Sequence, residues 1–148
     1  MKSRVRVSRY AYTAVAWLFV IGILTQVFLV GLSLLGRQPS WQIHMGLGHT
    51  LGILALLLVV LAYVGALPHP FKRLTWLTFA LYILLADVVI FLRQSAPVVA
   101  ALHPVLAVTL FALTCSLAIR AWRLVRKEAD TAAISHPAKE TPGDMRTG

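Results

Sequence analysis

Residues 41–66 read WQIHMGLGHTLGILALLLVVLAYVGA, a run of 26 residues without a single Asp, Glu, Lys or Arg. A helix of this length rises about 39 Å at 1.5 Å per residue, which is more than the roughly 30 Å of a bilayer's hydrocarbon core. Inside lipid the backbone must satisfy its own hydrogen bonds, and a helix does so within one segment. The stretch therefore predicts a transmembrane helix over residues 42–66.

Three further apolar runs, residues 11–36, 74–92 and 98–122, meet the same length requirement. The whole chain is 59% hydrophobic and only 13% charged, a balance that a soluble domain of 148 residues cannot carry on its surface. The connecting segments are short, so neighbouring helices must run antiparallel. We therefore predict an all-α, polytopic membrane protein built as an up-down-up-down bundle of four transmembrane helices.

The net charge of +9 is sorted by loop. Ten cations fall on one predicted side, whereas the opposite loops hold only Arg37 and Arg93. This asymmetry predicts a membrane protein with both termini in the cytoplasm, and it explains the basic charge without nucleic acid as a partner. The ten cations are Lys2, Arg4, Arg6, Arg9, Lys72, Arg73, Arg120, Arg123, Arg126 and Lys127.

Three parts follow from this pattern. Residues 1–10 form a basic cytoplasmic segment, and residues 11–122 form the transmembrane domain. Residues 123–148 mix charge with Pro, Gly, Ser and Thr, which predicts a disordered cytoplasmic tail.

Five polar side chains interrupt the helices within about 3–15 Å of the predicted outer boundary, counted at 1.5 Å per residue. They are Gln26, His44, His49, Asp87 and His103. Ionisable groups inside a membrane are costly and face a partner, a cavity or a cofactor. We therefore expect a polar site near the outer face, with Asp87 bonded to a histidine or Gln26, protonated, or hydrated.

Helical periodicity indicates which histidines face the bundle interior. His44 shares a helical face with Gly48, Gly52, Ala55 and Ala62. His103 shares a face with Ala100, Ala107, Thr114, Ala118 and Ala121. Small residues mark the face on which membrane helices approach one another, or leave room for a flat ligand. His49 is rotated by about 140° from His44 at 100° per residue, so it points elsewhere.

One inward histidine on each of two helices, flanked by small residues, is the arrangement that a b-type haem needs. We predict His44 and His103 as the ligands of the haem iron, with Gly48 and Gly52 clearing space for the cofactor, and electron transfer as the function. The alternative is a non-catalytic accessory or scaffold subunit of a larger membrane complex, whose polar residues only fix helix packing. A zinc or copper site and a proton path remain further alternatives. Enzymatic turnover is not favoured, since no nucleophile–base pair or phosphate loop is present.

The motif WQIHMGLG that opens the second helix and the motif ALHPVLA that opens the fourth resemble an uncharacterised family of small bacterial membrane proteins with four helices. The resemblance covers residues 10–122 and implies that fold and a place in a bacterial inner (plasma) membrane, without an activity. The matching positions are Gln26, Trp41, His44, Gly48, His103 and Pro104. His49 does not belong to the pattern, and Leu106 stands where relatives are expected to have a polar residue.

Overall fold

The computed structural model describes residues 3–36, 40–88, 91–92 and 94–135, and all regular structure in these ranges is helical. Three long helices are α1 (Ser3–Leu34), α2 (Ser40–Val64) and α5 (His103–Ser135). Between them lie α3 (His69–Ile83), which runs into a π-helical segment (Leu84–Val88), and the single turn α4 (Pro97–Ala100). The all-α prediction is therefore confirmed over the described residues. The cations Lys2, Arg37 and Arg93 lie outside them.

Three stretches of helix are each long and apolar enough to cross a membrane: Ser3–Leu34, Ser40–Val64 and Pro97–Ile134. This confirms three of the four predicted spans and indicates a membrane protein whose apolar helices contact lipid. The fourth predicted span, residues 74–92, corresponds to α3 and the π-helical segment. Helix α3 has only 15 residues and rises about 22 Å at 1.5 Å per residue.

Glycine and proline set the helix ends. Gly36 follows α1 with a φ of +72°, a left-handed conformation that glycine adopts without strain. The connection between α2 and α3 is tight, and Ala66 adopts a φ of 45° there. Pro68 precedes α3 and Pro70 lies in its first turn, where the missing N–H has no intrahelical acceptor to lose. Helix α2 therefore begins and ends within two residues of its predicted bounds, whereas α3 begins at His69, five residues earlier than predicted.

Small residues and large apolar side chains alternate in the core where α1, α2 and α5 meet. Ala16, Ala62 and Ala118 are completely buried, and Phe19 and Leu117 fill the space beside them. Of the faces predicted to be interior, Ala55, Ala62, Thr114, Ala118 and Ala121 are all buried. Close packing through small residues is how membrane helices associate, because lipid provides little hydrophobic drive between them.

Helix α5 differs from the prediction at both of its ends. It begins at His103 after a turn at Ala101 and Leu102, five residues later than predicted. It then continues to Ser135, past the predicted end at residue 122. Part of the predicted tail is therefore helical, while residues 136–148 lie outside the described residues.

The helical extension of α5 brings Glu128 to Arg9 of α1, and the two side chains form an ion pair. Arg9 also donates from Nε to the Gly65 carbonyl (2.8 Å) and from Nη2 to the Ala66 carbonyl (3.1 Å). One side chain therefore joins α1, the end of α2 and α5. We call this part of the molecule the Arg9 end.

Candidate functional site

A cavity of about 1300 Å³ lies among α1, α2, the α3–π segment, α4 and α5. Six of the seven predicted site residues line it: Gln26, His44, Gly48, His49, Asp87 and His103. The other lining side chains are mainly apolar, including Val27, Leu51, Leu85 and Leu110. This volume is somewhat above the range of about 300–1,000 Å³ that is typical of small-molecule pockets. The predicted polar residues therefore meet around a space of ligand size, which we call the cavity end.

His44 is held on two sides. Its Nδ1 lies 3.3 Å from the backbone carbonyl oxygen of Gln26 on α1, so a proton on Nδ1 can be donated to that oxygen. The Trp41 ring stacks on the imidazole at a centroid distance of 5.1 Å and an angle of 11°. In the neutral tautomer that carries its proton on Nδ1, Nε2 has a free lone pair, as in a ring that binds a metal through Nε2.

His103 faces His44 from the first residue of α5, and the two ring centroids are 6.4 Å apart with an interplanar angle of 61°. The ring is half-buried. The Leu85 backbone lies close to it, yet Nδ1 is buried and makes no hydrogen bond of standard geometry within the described residues. Pro104 lies in the first turn of α5, and the regular helix begins directly before it at His103.

The distance between the two ring centres would allow both imidazoles to bind one iron. Two such rings have centres about 6 Å apart, because each metal–nitrogen bond is about 2.0–2.1 Å and each nitrogen lies about 1 Å from its ring centre. The observed 6.4 Å agrees with this value. Gly48, Ala100 and Ala107 line the same cavity and are the small residues expected beside a flat ligand. Arg37 and Arg93, the two cations that the sequence places on this side and that could pair with haem propionates, lie outside the described residues.

Asp87 lies in the π-helical segment, a helical irregularity that is frequent at functional sites. Its side chain is exposed at the cavity and makes no hydrogen bond or ion pair with another described residue. Of the three states expected for Asp87, the bond to a histidine or to Gln26 is not formed among the described residues. The carboxyl group borders the cavity.

Gln26 and His49 play different parts at the same level. The Gln26 backbone carbonyl meets His44, whereas its side-chain Oε1 is buried without a hydrogen-bond partner in the described part of the chain. His49 is exposed, and its Nδ1 lies 2.8 Å from the Met45 carbonyl of its own helix. His49 borders the cavity, and its ring is committed locally on α2 and not across the bundle.

The predicted role of Gly52 is corrected, because this residue does not line the cavity. Tyr82 from α3 packs over it, and a Cβ at this glycine would lie 2.9 Å from Tyr82 Oη. The Tyr82 hydroxyl donates to the Gly48 carbonyl at 2.6 Å. Gly52 therefore makes room for a tyrosine, not for a cofactor. The sequence analysis missed Tyr82, although a tyrosine in an apolar helix needs an acceptor for its hydroxyl and signals one nearby.

A metal centre made from protein ligands alone needs at least three suitable side chains. The described residues contain no group of three or more His, Cys, Asp or Glu side chains placed to hold one ion. The zinc or copper alternative therefore has no ligand set within the described residues. A haem would need only two ligands from the protein, since the porphyrin supplies the others.

The fold and the cavity define the class: an all-helical membrane protein with a ligand-sized space between its helices. Residues 26–88 match the model of a family that is described only as a family of unknown function, DUF6220. This match covers less than half of the chain. It includes Gln26, His44 and Asp87, and it ends before His103. No curated protein and no solved structure matches the chain.

Proposed function

We propose that this protein is a small b-type haem protein of the membrane that transfers electrons, with His44 and His103 as the axial ligands. The observation that carries the proposal is the pair of imidazoles facing each other at 6.4 Å in an apolar cavity of about 1300 Å³. A bis-histidine haem supplies a one-electron redox couple. A histidine inside a membrane is costly and faces a partner, a cavity or a cofactor, and these two rings face the same cavity.

The surrounding residues orient His44 and shape the cavity. The Gln26 carbonyl and the Trp41 ring orient His44, and a fixed ring orientation raises the affinity of a histidine for metal. Gly48 and Ala107 leave the space between the two helices open. Apolar side chains such as Leu85 and Leu110 line the cavity. An apolar shell and the ligands themselves are means by which a protein sets the redox potential of a haem.

The proposal includes a topology. The α3–π segment joins Ser3–Leu34, Ser40–Val64 and Pro97–Ile134 as the fourth transmembrane element, in an up-down-up-down order. The sorting of cations along the sequence supports a cytoplasmic position for both termini in the inner membrane of a bacterium. The cavity end then faces the outer side, and the Arg9 end faces the cytoplasm.

The test is a visible spectrum of the full chain, purified in detergent from cells supplied with ample haem precursor. We expect Soret and α bands in the reduced-minus-oxidised difference spectrum. His44→Ala and His103→Ala should each abolish or shift these bands. His49→Ala is the matched control and should keep them, because its ring bonds its own helix.

Folding and ligation are separated by two further measurements on each variant, elution on size exclusion and helical circular dichroism. A variant that loses the bands but keeps both properties supports ligation. If the folded wild-type chain shows no bands even after reconstitution with haem, the proposal is wrong. That result would leave the accessory-subunit alternative, which predicts recovery of the chain in a larger assembly after gentle solubilisation.

A further inference from the structure

The contacts of Arg9 place three separate basic segments at one end of the molecule. Arg9 belongs to the first turns of α1, Gly65 and Ala66 connect α2 to α3, and Glu128 belongs to the last third of α5. Each of these segments carries further cations within a few residues of the Arg9 contacts. The sequence alone sorted these charges by predicted loop, whereas the contacts of Arg9 bring the segments together directly.

The charge at this end is strongly unbalanced. Arg9 and Glu128 neutralise each other. Among the described residues, the other carboxyl group near this end is that of Asp130, and it is exposed. Seven of the remaining cations are exposed: Arg4, Arg6, Arg73, Arg120, Arg123, Arg126 and Lys127.

Aromatic side chains show what kind of surface these cations meet. Trp76 donates from Nε1 to the Tyr63 hydroxyl at 3.0 Å, and Lys72 Nζ lies 4.8 Å from the centre of the Tyr63 ring. Tyr63, Trp76 and Trp122 are all about half exposed. Exposed tryptophan and tyrosine at the end of membrane helices lie at the level of lipid headgroups. Lys72 is therefore held at headgroup level by an aromatic partner, next to Arg73.

We propose that the Arg9 end binds anionic phospholipid headgroups, with Lys72 and Arg73 beside the Tyr63–Trp76 pair as one contact and Arg123 and Arg126 of α5 as another. Phosphate diesters accept hydrogen bonds from guanidinium and ammonium groups, and polybasic segments next to a membrane attract anionic lipid. The aromatic belt favours a lipid over a soluble acidic partner, because it places the cations in the plane of the headgroups. This inference is independent of haem.

The experiment counts lipids bound to the detergent-purified full chain by native mass spectrometry. Phosphatidylglycerol is the anionic probe, phosphatidylcholine is the zwitterionic probe, and inorganic phosphate is the competitor. We expect phosphatidylglycerol to bind at least several-fold more tightly than phosphatidylcholine, and the preference to weaken as salt is raised. The double variants Lys72→Gln/Arg73→Gln and Arg123→Gln/Arg126→Gln should each lower the phosphatidylglycerol affinity roughly tenfold or more.

The matched control keeps charge and removes only the guanidinium shape. Arg123→Lys/Arg126→Lys should retain most of the preference, since anionic lipid is attracted chiefly by charge. Equal binding of both lipids by the folded wild-type chain would overturn the proposal. Displacement of phosphatidylglycerol by millimolar inorganic phosphate would also overturn it, because the site would then be one for free phosphate. Size exclusion of every variant shows whether a loss reflects misfolding.

Discussion

The two ends of this molecule, about 26 Å apart along α1 between Arg9 and Gln26, differ in how their polar side chains are paired. At the Arg9 end, one guanidinium meets two backbone carbonyls and a carboxylate. At the cavity end, Gln26 Oε1 and His103 Nδ1 are buried and lack partners among the described residues. The Arg9 end has one such atom, the second carboxylate oxygen of Glu128.

This difference separates stability from function. A buried polar atom without a hydrogen bond costs about 1–3 kcal/mol, so a fold gains nothing by keeping two of them around one cavity. Such sites persist where a ligand uses the groups. At the Arg9 end the guanidinium of Arg9 is occupied by three partners and joins three parts of the chain. We therefore expect the Arg9 contacts to stabilise the fold and the cavity end to bind a ligand, as proposed above.

The largest effect should come from Arg9→Ala. The Arg9 and Glu128 side chains are only 15% and 23% exposed, so the change leaves a poorly hydrated carboxylate and two backbone carbonyls without their donor. We expect the free energy of unfolding to fall by roughly 3 kcal/mol, the lower end of the range for removing one partner of a buried ion pair. Titration with sodium dodecyl sulfate in mixed micelles, followed by circular dichroism, measures it.

Arg6→Ala is the control for the loss of a positive charge from the same helix. Arg6 is exposed, so its removal should change the free energy of unfolding by no more than about 0.5 kcal/mol. If Arg9→Ala costs less than about 1 kcal/mol, the ion pair behaves like one on an open surface. The assignment of stability to the Arg9 end would then fail.

The same two ends show what the sequence could and could not predict. The interior faces of α2 and α5 followed from the spacing of small residues, because helical periodicity is local, and Ala55, Ala62 and Ala118 are buried as expected. The meeting of His44 with His103 also followed from periodicity combined with a bundle. The partners of Arg9 did not, since Glu128 lies 119 residues away and beyond the predicted end of the last helix.

Residue identity was equally uninformative about Gly52 and Asp87. A glycine on an inward face can admit a cofactor or a neighbouring side chain, and only the position of Tyr82 decides between them. Asp87 was expected to be paired, protonated or hydrated because an isolated carboxylate is costly inside a membrane. It lies in a π-helical segment, and no periodic pattern in the sequence predicts such a segment.

Gly52→Ala, at the contact between α2 and α3, should lower the free energy of unfolding by an intermediate amount. The new Cβ would lie 2.9 Å from Tyr82 Oη and 3.1 Å from Cε1, and Tyr82 is only 6% exposed, so the ring has little room to move. Overpacking together with disturbance of the Tyr82–Gly48 hydrogen bond should cost about 2 kcal/mol of unfolding free energy. The same detergent titration measures it.

Gly46→Ala on the same helix is the matched control. A Cβ there meets no described atom within 4 Å, and alanine favours a helix over glycine by up to about 1 kcal/mol, so this variant should be as stable as wild type or more so. In Gly52→Ala combined with Tyr82→Phe, the missing hydroxyl relieves the contact. If the costs in unfolding free energy of Gly52→Ala and Tyr82→Phe simply add in the double variant, the two residues do not interact. Tyr82 would then not be what fills the space over Gly52.

The smallest effect, and one of opposite sign, should come from Gln26→Leu in haem-free protein. Leucine keeps the backbone carbonyl that meets His44 and removes the buried Oε1 that has no partner in the described residues. We expect the unfolding free energy to rise by about 1 kcal/mol, because an unsatisfied buried acceptor costs at least that much. Thr25→Leu is the control. Thr25 is exposed and its hydroxyl already bonds the Ile21 carbonyl, so little change is expected there. A clear loss of stability in Gln26→Leu alone would mean that the amide serves packing in the free protein, and the cavity end would then resemble the Arg9 end.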